Sequence, residues 1–460
     1  MKDELKNLKP QDAKALADFL ESNGYKIAPV ETPSRDWTDS LEYDIKGNIK
    51  QTNNNCKLAI ENDPLLKGAI KKNELSGSID VVKDLGWKRH NTSFTDTDLD
   101  NIILYLEKNY DLHIDRMIDR AVKVVANQNS YNPIKELLYS LKWDGKPRIE
   151  NALTHFLGVE KSTLTTEALK LFMLGAIERA FHPGTKFEYM LCLVGGQGAG
   201  KSSFLRFLSM KDEWFCDDIK QLSDKDVFEK LQGHWIIEMP EMTAILHAKC
   251  VEDTKAFLSR LTDTYRAPYD KYSQDHPRMC VFAGSSNTIQ FLPPDKSGNR
   301  RFIPIEVNME KADVHILDNE PASRYYFAQM WAEAMEIYRS GDYKLTLSKD
   351  LQKELIKLQA KYTPEDPMER TILNYIEEYQ PEYVCTKLLY VEALGNSELA
   401  PMATWESTAI GEIMNQKCDD YRSISTHVFK KYGKQRAWVR RKKADFIPIT
   451  TDMEDDLPFK

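Results

Sequence analysis

The chain has 460 residues, of which 42% are hydrophobic and 29% charged, and its net charge is −8. That length allows roughly two to four domains. The acidic balance excludes a surface coated all over with cations, and no apolar run approaches the roughly 18 residues that cross a bilayer.

Seven cysteines (Cys56, Cys192, Cys216, Cys250, Cys280, Cys385 and Cys418) form no C-x-x-C pair. This argues against a structural zinc site and for a reducing cytoplasm. The polar start MKDELKNLKPQDAK predicts no secretory leader.

Residues 1–131 are polar and uneven, an accessory region of mainly helical character. Loop-like stretches at 33–38 and 47–55 separate helical patterns at 12–22 and 99–127. In the second pattern Ile102, Ile103 and Leu106, then Ile114, Met117 and Ile118, return at three and four residues. Residues 132–184 read as helices broken at Trp143-Asp144-Gly145-Lys146-Pro147.

The pattern changes across residues 185–310. Short runs rich in β-branched and aromatic residues, at 189–194, 235–239, 279–283 and 302–307, alternate with helical stretches. Such runs predict an α/β sheet covered on both faces. Helices are expected at 325–340 and 348–361, within a linking segment 311–365, and at 367–379. Residues 366–460 continue into smaller elements, a basic stretch and an acidic tail.

The run at 189–194 leads straight into Gly195-Gly196-Gln197-Gly198-Ala199-Gly200-Lys201-Ser202, and a helix is expected from Ser203 onward. Glycines let the backbone curl so that successive N–H groups point at a phosphate, and the helix N-terminus adds partial positive charge. In this P-loop pattern Lys201 reaches the β- and γ-phosphate oxygens, and the Ser202 hydroxyl takes a position on Mg²⁺. These nine residues, Ser203 included, are the expected ATP-binding set. A flexible glycine loop is the bland alternative, and the strand before with the helix after argue against it.

Downstream, the run Trp235-Ile236-Ile237 ends in Glu238, a place where P-loop enzymes hold Mg²⁺ with an acid. Glu241 follows within one turn and could polarise the attacking water. Either could instead be a solvated strand-end charge. The run from Met279 ends at Asn287, which could sense the γ-phosphate or simply turn the chain. Arg300 and Arg301 then precede the last run. An arginine fixed at a strand start can stabilise transition-state charge on a neighbouring subunit's ATP.

With these residues in place, the chain resembles the virulence-associated E family, common in phages and phage-related islands, whose core belongs to the superfamily 3 helicases. The resemblance is carried by Pro133 through Trp143, Asp144, Gly145 and Arg148, by the phosphate loop, and by Asp224 through Gly233, Trp235 and Glu238. It continues through Lys255, Arg260, Asp263, Arg266, Pro268 and Tyr269, then Pro277, Arg278, and Asn287 to Arg301, covering about residues 132–307 densely. It implies an AAA+-type hexameric ring with ATP and Mg²⁺ held between subunits. Lys201 and Ser202 would bind nucleotide and metal, Glu238 and Glu241 would be the acidic pair, and Asn287 the first sensor. Arg301 would be the arginine finger, with Arg300 the alternative. One departure stands out: Met239 and Pro240 separate acids that many such helicases place side by side, leaving open which one activates water.

The same resemblance implies a β-hairpin reaching into the ring's channel, here residues 261–279. Arg266, Tyr269, Lys271, Tyr272 and His276 mix cations with aromatic rings, which suits single-stranded DNA. Farther on, residues 422–443 contain nine cations and no acid, among them Lys430, Lys431, Arg436, Arg440 and Arg441. A helix, a glycine and a strand there would fit a small winged-helix unit with Trp438 in its core and a duplex-binding face. Pairing with the tail acids Asp452, Glu454, Asp455 and Asp456 is the alternative.

Three functions follow. The leading one is an ATP-driven replicative DNA helicase of a phage or mobile element, in the cytoplasm of a bacterial host, loading at an origin. The second is an origin-binding initiator whose ATPase only controls assembly. A helicase fused to a primase is disfavoured, because residues before 132 show no acidic D-x-D cluster set on strands.

Overall fold

A computed structural model describes residues 37–219, 227–242, 248–266, 272–292, 299–364 and 366–441. The helix expected at 12–22 lies outside them. The chain divides into two compact units, with the boundary between Ser140 and Leu141.

The first unit contains α1 (Asn53–Asn62), the antiparallel pair β1 (Ile70–Lys72) and β2 (Ile79–Val81), then α2 (Asp96–Tyr110), α3 (Asp115–Gln128) and α4 (Pro133–Ser140). Its core gathers Ile60, Ile70, Ile102, Leu106, Ile118 and Val122. The periodic stretch at 99–127 is thus two helices rather than one. Asp111 takes a left-handed conformation at φ 56° and caps α2, while Leu112 plugs into the core. The three-and-four pattern survives the break because both helices present apolar faces to one core.

Asp98 organises this unit. It completes a capping box with Thr95 at the start of α2 and accepts hydrogen bonds from Trp87 Nε1 and Arg89 Nε, each at 2.8 Å. Burial works against its charge, yet the bonds from Arg89, Trp87 and Thr95 outweigh burial and hold its pKa down at about 2. A carboxyl depressed on folding stabilises fully above its unfolded value near 4 and loses that contribution as pH falls through about 2. Asp98→Asn is therefore expected to cost about 3 kcal/mol at neutral pH, because Arg89 is left buried without its counter-ion. Urea unfolding followed through Trp87 fluorescence checks this; an unchanged midpoint would refute the assignment.

The second unit opens with α5 (Ile149–Leu157) and α6 (Thr163–Phe181), followed by β3 (Met190–Val194), α7 (Lys201–Leu208), β4 (Phe215–Cys216), α8 (Val227–Leu231) and β5 (Ile236–Met239). Next come α9 (Ala248–Ser259), the antiparallel hairpin β6 (Thr262–Tyr265) and β7 (Gln274–Pro277), then β8 (Val281–Ser286) and β9 (Phe302–Glu306). Two long helices follow, α10 (Glu320–Ser340) and α11 (Lys349–Tyr362). Five strands make one parallel sheet in the order β4-β5-β8-β3-β9. Every residue of β3, β5 and β8 is buried, as parallel strands with both faces covered require. The four runs expected to be strands are strands. The fifth, the two-residue edge β4, is too short to show in the sequence.

The Trp143 to Arg148 turn is tied to α10. Gln329 bonds Lys142 O and Asp144 N, and Glu333 Oε2 accepts from Arg148 N at 2.6 Å. Arg148 in turn grips Asp144 through two 2.7 Å bonds. This motif fastens the segment before the sheet onto a helix 185 residues later, so its chemistry is structural.

Past α11 the second unit continues with α12 (Pro367–Tyr379), β10 (Tyr383–Cys385), α13 (Thr386–Leu388) running into a π-turn to Ala393, α14 (Thr404–Lys417), β11 (Tyr421–Phe429) and β12 (Gly433–Arg440). The strands form an antiparallel sheet ordered β10-β12-β11. Trp438 lies in the local core with Ile410, Met414 and Tyr421. The helix expected after Arg422 is instead strand β11. Ser423-Ile424-Ser425-Thr426-His427-Val428 is rich in β-branched residues that pack on a pleated surface, and a register shift between Ile424 and His427 keeps it paired with β12.

Candidate nucleotide site

The phosphate loop leaves the carboxyl end of β3, in the crevice between β3 and β8. From β3 the chain crosses to the β4 edge, whereas from β8 it crosses to β9 on the other side. Ligands of parallel α/β sheets bind at such switch points. Gly198 and Gly200 take left-handed conformations at φ 78° and 72°, which β-carbon-bearing residues resist. Gly195 is fixed by crowding: a β-carbon there would stand 2.6 Å from Val307 O. Gly196, Gln197 and Ala199 complete the loop, and α7 begins at Lys201 with Ser202 and Ser203 in its first turn.

Three side chains converge above the strand ends. Lys201 is 7% exposed, and its Nζ donates to Gly195 O at 2.8 Å, Gly196 O at 2.7 Å and Asn287 Oδ1 at 2.9 Å. Asn287 Nδ2 donates in turn to Glu241 Oε1 at 2.6 Å. Glu241 occupies a left-handed turn at φ 47° just past β5. Burial lowers the Lys201 pKa, partly offset by the Glu241 and Glu238 charges.

Glu238 is fully buried. Its Oε1 accepts from Ser202 Oγ at 2.8 Å and Ser285 Oγ at 2.5 Å, while Oε2 has no hydrogen-bond partner. Burial pushes its pKa up against the two serine bonds, and Asp217 beyond β4 adds repulsion. An ionised buried oxygen without a partner is costly, so the place fits a cation. One serine hydroxyl and one carboxylate are hard oxygen donors of the kind Mg²⁺ takes alongside phosphate oxygens. Among the described residues no group of three or more His, Cys, Asp or Glu could hold a metal ion, so such a cation would draw its remaining oxygens from nucleotide and water.

Arg300 and Arg301 lie at the other edge. Arg301 O accepts from Met190 N at the start of β3, so five strand residues, about 16 Å, separate this pair from the loop of its own chain. Arg301 Nε meets Glu188 Oε2 at 3.1 Å, and Arg300 reaches Glu188 Oε1 at 3.4 Å.

Of the expected nucleic-acid contacts, Arg266 is exposed just after β6, and His276 on β7 stacks on Tyr265 at 4.1 Å. Tyr272 is 77% exposed; Tyr269 and Lys271 lie outside the described residues. Lys430, Lys431, Arg436, Arg440 and Arg441 are all exposed, with Lys431 3.7 Å from Glu398. Three residues escaped the sequence reading. Ser285 could have been suspected as a hydroxyl inside an apolar strand, whereas Glu188 and Asp217 carry no local signal.

Residues 138–364 match the virulence-associated protein E-like domain. The chain carries a virulence-associated protein E-like domain. The matched residues contain the whole parallel sheet, the phosphate loop and the β6–β7 hairpin, as the resemblance in the sequence implies. Among solved structures, the chain is similar to the A form apo structure of the NrS-1 C terminal region, with 14% identity, TM-score 0.47, and coverage of 81% of this chain and 96% of that one. A second structure of that region, residues 305–718, gives 15% identity, TM-score 0.44, and coverage of 81% and 95%. No curated protein matches. Among the described residues no helix is long and apolar enough to cross a membrane.

Proposed function

We propose that this protein is an ATP-hydrolysing DNA helicase of the superfamily 3, AAA+-type class, working as a ring of six subunits in phage or mobile-element replication. The observation that carries the reading is Glu238, buried, holding Ser202 through one oxygen and leaving the other without a partner beside a P-loop. Ser202 and Glu238 would hold Mg²⁺, which when bound neutralises charge across the β- and γ-phosphates.

The chain's own groups divide the remaining work. Lys201 exchanges the carbonyls of Gly195 and Gly196 for phosphate oxygens. That releases Asn287 Oδ1, so Asn287 and Glu241 can orient the attacking water between them. Glu241, rather than the serine-bonded Glu238, is then the group that polarises water. The arginine pair lies too far from its own loop to serve it, which supports ATP held between subunits. The β6–β7 hairpin, with Arg266, Tyr272 and His276, would track single-stranded DNA.

A second reading, an origin-binding initiator, draws on the C-terminal sheet. Helix, strand, two helices and a two-stranded hairpin in the order α12, β10, α13, α14, β11, β12 support a winged-helix reading of this segment. Arg422, Lys430, Lys431, Lys434, Arg436 and Arg440 stand on or at the turn of that hairpin with no acid between Tyr421 and Arg441, a surface for duplex phosphates.

Displacement of one strand from a forked duplex separates the two readings. The helicase reading expects displacement that needs ATP and disappears with Lys201→Ala. Vigorous hydrolysis by the assembled protein without displacement would leave only the initiator.

A further inference from the structure

At the amino ends of β3 and β9, the far end of these strands from the phosphate loop, one carboxylate receives two arginines on unequal terms. Arg301 Nε touches Glu188 Oε2 at 3.1 Å and Ser259 Oγ at 3.1 Å, and its side chain is 17% exposed. Arg300 touches the other oxygen at 3.4 Å with 71% of its side chain in solvent. Ser259 Oγ also lies 2.9 Å from Glu188 Oε2, so Glu188, Ser259 and Arg301 close a triangle that Arg300 only borders.

This triangle is built into the frame. Glu188 sits two residues before β3, Arg301 directly before β9, and Ser259 ends α9. Burial would raise the Glu188 pKa, but the Ser259 bond and the Arg301, Arg300 and Lys186 charges outweigh it and keep the carboxyl below the usual range. The nearby hairpin base is held as firmly: Arg278, 3% exposed, bonds Asp263 at 2.6 and 2.8 Å and donates to Phe257 O of α9.

We propose that Glu188 is a positioning residue that divides the arginine pair: with Ser259 it fixes Arg301 as an anchor and presents Arg300 to the nucleotide of a neighbouring subunit. An exposed, single-contact ion pair is weak and easily exchanged for a phosphate. A mostly buried guanidinium with two partners is costly to withdraw, since it would leave Glu188 half-buried without its charge partner. The arginine that must travel is therefore the exposed one. Being adjacent in sequence, Arg301 supplies the fixed point from which Arg300 is aimed. The assignment rests on the proposal that ATP at the Gly195–Ser202 loop is completed by a second subunit.

The test uses the full chain with steady-state ATPase and binding of a fluorescent ATP analogue. Arg300→Ala is expected to lower kcat about 10³-fold while analogue affinity stays within a factor of about three. Mixing it with an equal amount of Lys201→Ala should restore about a quarter of wild-type turnover, because random assembly pairs an intact loop with an intact arginine at one interface in four. Glu188→Gln should lower kcat roughly 10- to 100-fold with KM unchanged, as expected for a misaimed group. Arg301→Lys, which retains a charge for Glu188, should keep most activity. Wild-type turnover by Arg300→Ala alongside a 10³-fold loss in Arg301→Lys would overturn the division of roles. So would a mixture that restores nothing although both variants bind one another. Full activity in Lys201→Ala alone would instead sink the underlying site.

Discussion

Glu238→Gln is expected to slow hydrolysis by orders of magnitude while making the nucleotide-free protein more stable. Glu238 is fully buried, and one of its oxygens has no hydrogen-bond partner. Its pKa is raised chiefly by burial. The sign follows: a carboxyl raised on folding favours the protonated form in the native state. The penalty for ionising it is absent below its unfolded value near 4, grows as pH rises to the folded value, and is complete above that. Glutamine preserves the shape and removes the charge, so at pH 7 the variant should gain about 1 kcal/mol, or roughly 2–4 °C in Tm. That gain should shrink as pH falls toward 4. Hydrolysis should fall about 10²- to 10³-fold. Calorimetry at pH 7 and pH 4.5, with ATPase on the same samples, reads both. A variant less stable than wild type at pH 7 would contradict the burial argument, and one with normal turnover would remove Glu238 from the site.

Lys201→Ala should be the most damaging single change to turnover, about 10³-fold or more in kcat, with at least tenfold weaker nucleotide binding. The ammonium rests on two loop carbonyls and on Asn287 Oδ1. It is thus already desolvated, and burial lowers its pKa. Turning it from neutral oxygens to phosphate costs little fresh dehydration and brings in a full charge interaction. Titration calorimetry with a non-hydrolysable ATP analogue measures the binding loss. Unchanged affinity would mean that Lys201 only braces the loop.

The sequence by itself marked the glycine-rich loop between β3 and α7 and the four principal strands of the parallel sheet. Each rests on residues adjacent in the chain: glycines, lysine and serine at fixed spacing, or an unbroken apolar run. It also located the hairpin segment between the acidic strand and the Asn287 strand. Across 99–127 the helical pattern holds, with Asp111 dividing it into α2 and α3, whereas in residues 422–429 local pattern misled and β11 replaces a helix. The unequal duties inside the site were decided only by tertiary structure. Ser285 holds Glu238 from 47 residues away, Asn287 holds Glu241 from 46, and Glu188 meets Arg300 across 112. Periodicity reports which face of an element is buried. Which acid keeps an oxygen without a hydrogen-bond partner, and which arginine stays in solvent, depends on strand order, and strand order places β8 beside both β5 and β3.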